Sequence, residues 1–200
     1  MFVLLELVLG PRLALVQAAG LSVPPPQLRV PLLLAIALLL IRFGAGVRFS
    51  QLGLRRWREW STTEKSYLLQ VALVFVAVFS WIFAERLRAA SWAVCASYLL
   101  WGFYQELMYR GILQTELVRR WRAPAAILTS NALYAFGPLH FYHLGVLPPL
   151  QAALMLGTIF AIGLFFAVLY HRSGNLWIVG VLHGIGDVYF TGLATNAASA

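Results

Sequence analysis

The chain has 200 residues, 61% of them apolar and only 11% charged, and its mean hydropathy is +0.79; an ordinary soluble domain carries about 25% charged residues. That composition excludes a disordered chain, a disulfide scaffold and a typical soluble enzyme, and the single cysteine, Cys95, has no partner for an internal disulfide. The net charge of +8 sits in clusters between apolar runs. No basic stripe is interleaved with exposed aromatics, so the charge reads as membrane topology and not as nucleic-acid binding.

Taken in chain order, the apolar runs are Met1–Ala19, Val30–Val47, Tyr67–Ala84, Ala89–Ile112, Pro124–Phe141, Val146–Tyr170 and Leu176–Leu193. The first is broken by Glu6, Pro11 and Arg12 and lacks the basic start of a signal peptide, which leaves open whether it spans a bilayer or lies in its interface. The other six are each long enough to cross roughly 30 Å of hydrocarbon as helix. Backbone groups in lipid must be satisfied internally, which favours helices. The predicted fold is therefore all-α: a polytopic transmembrane helical bundle of six to seven helices, one integral membrane domain over 1–200. Residues 1–88 supply N-terminal helices and a basic interfacial segment, and 89–193 supply a core with a polar intramembrane cavity.

Arg42, Arg48, Arg55, Arg56, Arg58 and Lys65 fall in one connection, Arg119, Arg120 and Arg122 in another, and Arg172 in a third. If the six strong runs alternate, all three connections face the cytoplasm. Leu52–Trp60 (LGLRRWREW) mixes aromatic and basic residues and reads as an interfacial anchor on that face. Pro24, Pro25 and Pro26 form a stiff connection ahead of the second run.

Ionisable groups at membrane depth are costly and usually functional. The fourth run carries Gln105, Glu106 and Arg110, the fifth His140, and the last His183 and Asp187, the only Asp in the chain. At ~1.5 Å per residue, Gln105 lies roughly 21 Å from Arg119, His140 about 27 Å from Arg122, and His183 and Asp187 roughly 16 and 22 Å from Arg172. Three helices thus bring polar groups to a similar depth. Glu106 with Arg110, His183 with Asp187, and Phe136 with His140 are each i,i+4 pairs able to share a face. Gly184 and Gly186 leave room beside His183 for another helix or a substrate backbone. Asn131 is a second polar contact or interhelical glue, while His143 and His171 lie near loops and outside the set.

Peptide hydrolysis needs a base for water and donors for an oxyanion. A carboxylate with a histidine meets the first need, and a second histidine with an Asp meets the other. No G-x-S-x-G turn and no H-E-x-x-H motif is present. The His, Asp and Glu spacing is not diagnostic of a metal site, and neither metal nor cofactor is expected.

Gln105-Glu106-Leu107-Met108-Tyr109-Arg110-Gly111 resembles the E-E-x-x-x-R-G motif of the CAAX-protease and bacteriocin-processing family, intramembrane glutamic endopeptidases that include the Ras-converting CAAX endopeptidases. Phe136-Gly137-Pro138-Leu139-His140 is similar to its second motif, F-x-x-x-H, and His183-Gly184-Ile185-Gly186-Asp187 to its third, H-x-x-x-N or H-x-x-x-D. The resemblance covers roughly Ala89 to Tyr189. It implies that the position-105 side chain and His140 activate water, that His183 and Asp187 hold the oxyanion, and that Glu106 and Arg110 organise the site, with Phe136 and Asn131 as candidate substrate contacts. The implied substrate is a peptide or protein with a membrane-proximal terminal segment, and the implied location is a multi-pass protein of a prokaryotic cytoplasmic membrane.

One departure matters. Gln105 stands where the family has its first Glu, and a carboxamide has no basic atom. Either a Glu→Gln change has inactivated the enzyme, or the chain is a natural non-proteolytic member (a membrane scaffold or bacteriocin-immunity-like peptide-binding protein), or Glu106 serves as base.

Overall fold

The computed structural model describes residues 26–141 and 147–192. The run 1–19, His143 and Gly145 lie outside the described residues. Within them every regular element is a helix. α1 spans Pro26–Leu39 and closes in a π-helical turn, Leu40–Gly44. Two short 3-10 turns, Phe49–Leu52 and Trp57–Glu59, make up the interfacial stretch. Then follow α2 (Thr62–Ile82), α3 (Ala84–Ala89), α4 (Trp92–Glu106), a π-helix (Leu107–Gln114), α5 (Thr115–Arg120), α6 (Ala123–Phe136), α7 (Pro138–Phe141), α8 (Pro149–Ser173), α9 (Leu176–Asp187) and a final π-helical stretch, Val188–Gly192.

α2 and α8, with 21 and 25 residues, are long and apolar enough to cross a membrane. Only 6% of the most hydropathic window of α2 is buried, and Leu69, Leu73 and Trp81 stand exposed along it. A core helix of a soluble protein hides such side chains, whereas lipid solvates them.

Boundaries differ from the apolar runs for identifiable reasons. The run to Phe141 is interrupted at Gly137, which is extended (φ −84°, ψ −173°). Pro138 follows it, and a residue before proline is disfavoured in the α region. The run through Ile112 does not break at Gly111 but widens into a π-helix over Leu107–Gln114, so α-helical depth arithmetic does not carry through it. The last run leaves α geometry after Asp187.

The described residues divide into two compact units. In the first, residues 26–107 with 175–192, α9 packs on α4 and α2, and α1 packs on α4. α2 opens with a capping box: the Glu64 N–H donates to Ser61 Oγ (3.1 Å) and the Ser61 N–H to Glu64 Oε2 (2.8 Å). Glu64 Oε1 also accepts from Arg55 Nη1 (2.9 Å) and Asn175 Nδ2 (3.1 Å). Asn175 in turn caps α9, its Oδ1 accepting from the Trp177 N–H (3.2 Å). One carboxylate therefore joins the interfacial stretch to the starts of α2 and α9. At the other end of α9, Tyr189 bonds Ser80 (2.7 Å) and packs with Phe79 and Phe83 of the α2 region.

In the second unit, residues 108–174, α6 packs against α8 and α5. α8 ends at Gly174, whose left-handed φ of 60° closes the helix with an N–H bond to the Tyr170 carbonyl (2.8 Å).

Asn175 is fully buried and supplies both a cap and the link to Glu64. Asn175→Ala is expected to cost about 1–2 kcal/mol, read as a lowered thermal midpoint in detergent.

Candidate active site

Gln105 and Glu106 are the last two residues of α4, and His183 and Asp187 share one face of α9. These helices touch backbone to backbone. A Cβ on Gly102 would lie 2.6 Å from the Gly184 nitrogen, and a Cβ on Gly184 would lie 2.4 Å from the Leu99 carbonyl oxygen. Only glycine at both positions permits this approach. Gly186, the other small residue beside His183, faces open space.

The close contact lets short side chains meet. Glu106 Oε1 lies 2.6 Å from His183 Nδ1. The other ring nitrogen, Nε2, is 3.7 Å from Asp187 Oδ1. Asp187 Oδ2 accepts a hydrogen bond from Gln105 Nε2 at 2.9 Å. The result is a continuous polar row, Glu106–His183–Asp187–Gln105, across two helices. Burial falls from Glu106 to Asp187 and rises again at Gln105: the Glu106 side chain is fully buried, that of His183 is 10% exposed and that of Asp187 18%, while Gln105 is buried. A carboxyl group as deeply buried as Glu106 needs a strong partner, and the imidazole Nδ1 at 2.6 Å is one.

The row can do two things. Its carboxylates can take a proton from water, and its nitrogen donors, the Gln105 amide and the imidazole, can face a developing oxyanion. One turn back along both helices, at Phe103 and Gly180, an apolar cavity of about 660 Å³ begins. Leu34, Leu38, Trp60 and Trp177 line it, and Arg55 and Arg56 border it.

The remaining predicted residues lie in the second unit and form a network of their own. Arg110 Nη2 donates to the Gly163 carbonyl (2.7 Å) and to Asn131 Oδ1 (3.3 Å), with its guanidinium 4.5 Å from the Tyr134 ring centre. Asn131 Nδ2 donates to the Phe160 carbonyl (2.9 Å), so both ends of its amide hold α6 to neighbouring elements, which is the interhelical role. His140 Nδ1 lies 2.9 Å from the Tyr134 carbonyl oxygen, and its ring meets the Tyr134 ring edge-on at 5.0 Å. The extended Gly137 takes Phe136 and His140 off a single α-helical face, and the Phe136 ring stacks on Phe160 at 5.7 Å.

Two side chains escaped the sequence reading. Tyr134, three residues after Asn131 and six before His140, touches both Arg110 and His140. Gln114 is buried and donates to the Ala167 carbonyl (2.9 Å). Their signal was position alone: each falls within a turn or two of a motif residue. Among the described residues no three His, Cys, Asp or Glu side chains form a group able to hold a metal ion.

Gly184→Ala drives a methyl group into the Leu99 carbonyl. It is expected to lower stability by about 1–3 kcal/mol and to lengthen the Glu106–His183 contact, seen as a lower thermal midpoint and a perturbed His183 imidazole resonance.

A search of curated proteins finds no match to this chain, and a search of solved structures finds none. A family model does match: that of the type II CAAX prenyl endopeptidase Rce1-like proteins, over residues 86–189. The matched stretch spans all three motifs and more than half of the chain. The chain belongs to the Rce1-like family of type II CAAX prenyl endopeptidases.

Proposed function

We propose that this protein is a multi-pass intramembrane endopeptidase of the glutamic type, embedded in a prokaryotic cytoplasmic membrane, that cleaves a membrane-proximal terminal segment of another membrane-associated protein. The observation that carries the proposal is the 2.6 Å contact between the buried Glu106 and His183. Membrane-buried charge is retained where it does chemistry, and here it adjoins a second carboxylate and an amide donor. Glu106 fixes the imidazole orientation and its proton on Nδ1. With the ring protonated on both nitrogens, the His183 Nε2–H and the Gln105 amide then face the substrate carbonyl as it becomes an oxyanion. His140 and Arg110 enter from their motifs, as the second-motif histidine and the first-motif arginine.

The apolar cavity beside the row supports the substrate class. A lipid-anchored or strongly apolar terminus fits a groove of about 660 Å³ lined by leucine and tryptophan. Arg55 and Arg56 at its border suit a terminal carboxylate. A second reading, a non-proteolytic peptide-binding scaffold or immunity-like protein, is favoured by one observation, the amide at position 105.

The test is cleavage of membrane-anchored terminal peptides, a prenylated CAAX peptide among them, by the protein in liposomes. Cleavage by the unaltered chain, with kcat lowered about 100-fold or more by Glu106→Gln or His183→Ala, is the expected result. Tight peptide binding without cleavage supports the scaffold instead.

A further inference from the structure

Positions 105 and 187 are hydrogen-bonded partners. Gln105 Nε2 donates to Asp187 Oδ2 at 2.9 Å across the α4–α9 contact. The family motifs E-E-x-x-x-R and H-x-x-x-N or H-x-x-x-D set a carboxylate at the first of these positions and a carboxamide or a carboxylate at the second. Beside the H-x-x-x-N form, this chain holds the same two groups with their positions exchanged. The pair keeps one negative charge, one amide donor and one hydrogen bond. Gln105 alone looks like a lost catalytic group; with Asp187 beside it, the carboxylate has moved to the facing helix and remains in the row.

We infer that Asp187 is the water-activating carboxylate of this protein, and that Gln105 is the amide donor that Asp187 replaces. The inference rests on the endopeptidase function proposed above and sets an aspartate in place of the glutamate as its base. Three further observations support it. Of the two carboxylates in the row, Asp187 has accessible surface (18% of its side chain) and Glu106 has none. A base must reach water, so the sealed Glu106 is the poorer candidate. Glu106 is also engaged by His183 Nδ1 at 2.6 Å, while Asp187 lies 3.7 Å from Nε2 and accepts one close bond, from Gln105. The bond from Gln105 leaves lone pairs on Asp187 for a water.

In the step itself, Asp187 takes a proton from water as the water oxygen adds to the scissile carbonyl carbon. The carbonyl oxygen becomes an oxyanion facing the second Gln105 amide hydrogen and His183. The Asp187 carboxyl then gives its proton to the amide nitrogen as the C–N bond breaks. A carboxylic acid and an amine leave, to become carboxylate and ammonium as the acid proton passes to the amine, and Asp187 is again ionised.

The test compares the unaltered chain, Asp187→Asn and the double variant Gln105→Glu/Asp187→Asn in liposomes, on one panel of membrane-anchored terminal peptides including a prenylated CAAX peptide. Asp187→Asn keeps the size and the hydrogen-bonding capacity at 187, so a residue acting only as oxyanion donor or as packing tolerates it. A water-activating carboxylate does not: kcat is expected to fall at least 100-fold with KM nearly unchanged. The double variant restores the carboxylate at the facing position and is expected to recover to within about tenfold of the unaltered rate. Thermal midpoints of all three, expected to agree within a few degrees, separate loss of chemistry from loss of fold. Full activity in Asp187→Asn overturns the assignment and leaves the endopeptidase standing, as does a double variant no faster than Asp187→Asn. No cleavage of any peptide by the unaltered chain overturns both.

Discussion

Burying the Glu106 carboxylate is the demand that the unit built from α1, α2, α4 and α9 is arranged to meet. A charge with no accessible surface in a low-dielectric interior costs several kcal/mol unless it is paired and hydrogen-bonded. One partner, His183, is on another helix at 2.6 Å, so the two helices must be held in a fixed register. Hence Gly102 and Gly184, whose missing side chains let the two backbones touch. Hence also the firm seating of α9 at both ends. Asn175 and Glu64 hold its start, and Tyr189 with Phe79 and Phe83 holds the stretch beyond Asp187. In lipid, apolar surface gives little drive for helices to associate, so polar bonds and close packing at these few points set the geometry.

The interfacial stretch contributes to that seating. The Leu176 N–H donates to the Gly53 carbonyl at 2.9 Å, and Gly53 takes a left-handed φ of 78°. The same stretch offers Arg55 to Glu64 and sets Lys65 over the Trp57 ring at 5.4 Å. What the composition marks as a topology anchor is thus also the platform on which the first turn of α9 rests. The arginines counted for membrane orientation do not all lie idle in the headgroup region.

Much of this was visible in the residues. Long apolar runs announce helices, and Gln105, Glu106, His183 and Asp187 stand out because so little else in those runs is polar. The 2.6 and 2.9 Å contacts that join them run between α4 and α9. Other features were hidden for physical reasons. The π-helix over Leu107–Gln114 was hidden because a widened turn uses the same residue types as an α turn and has no residue signature of its own. The break before α7 was written in Gly137-Pro138 but masked by the continuity of apolar residues. Tyr134 looked like one aromatic among many, since its value comes from Arg110 and His140, residues that the chain folds back to it. The pairing of 105 with 187 lies across two helices, and single-helix spacing rules say nothing about it.

The two units handle buried polarity in opposite ways, and the contrast bears on where chemistry resides. In the unit of residues 108–174 the groups are held by carbonyls and amides: Arg110 by Gly163 and Asn131, Asn131 by Phe160, Gln114 by Ala167, His140 by Tyr134. Bonds to backbone oxygens hold a side chain in one orientation, which suits support and aim, and of these groups the His140 imidazole can also change its protonation state, as that of His183 can. In the other unit the polar row is made of side chains bonded to side chains, two of them carboxylates and one an imidazole. Each can change its protonation state, and each change is felt by its neighbour. A hydrolytic site needs that second kind of network, because a proton must leave water and later reach an amine. In the row, the accessible carboxylate, Asp187, has the Gln105 amide beside it, joined to it across the α4–α9 contact.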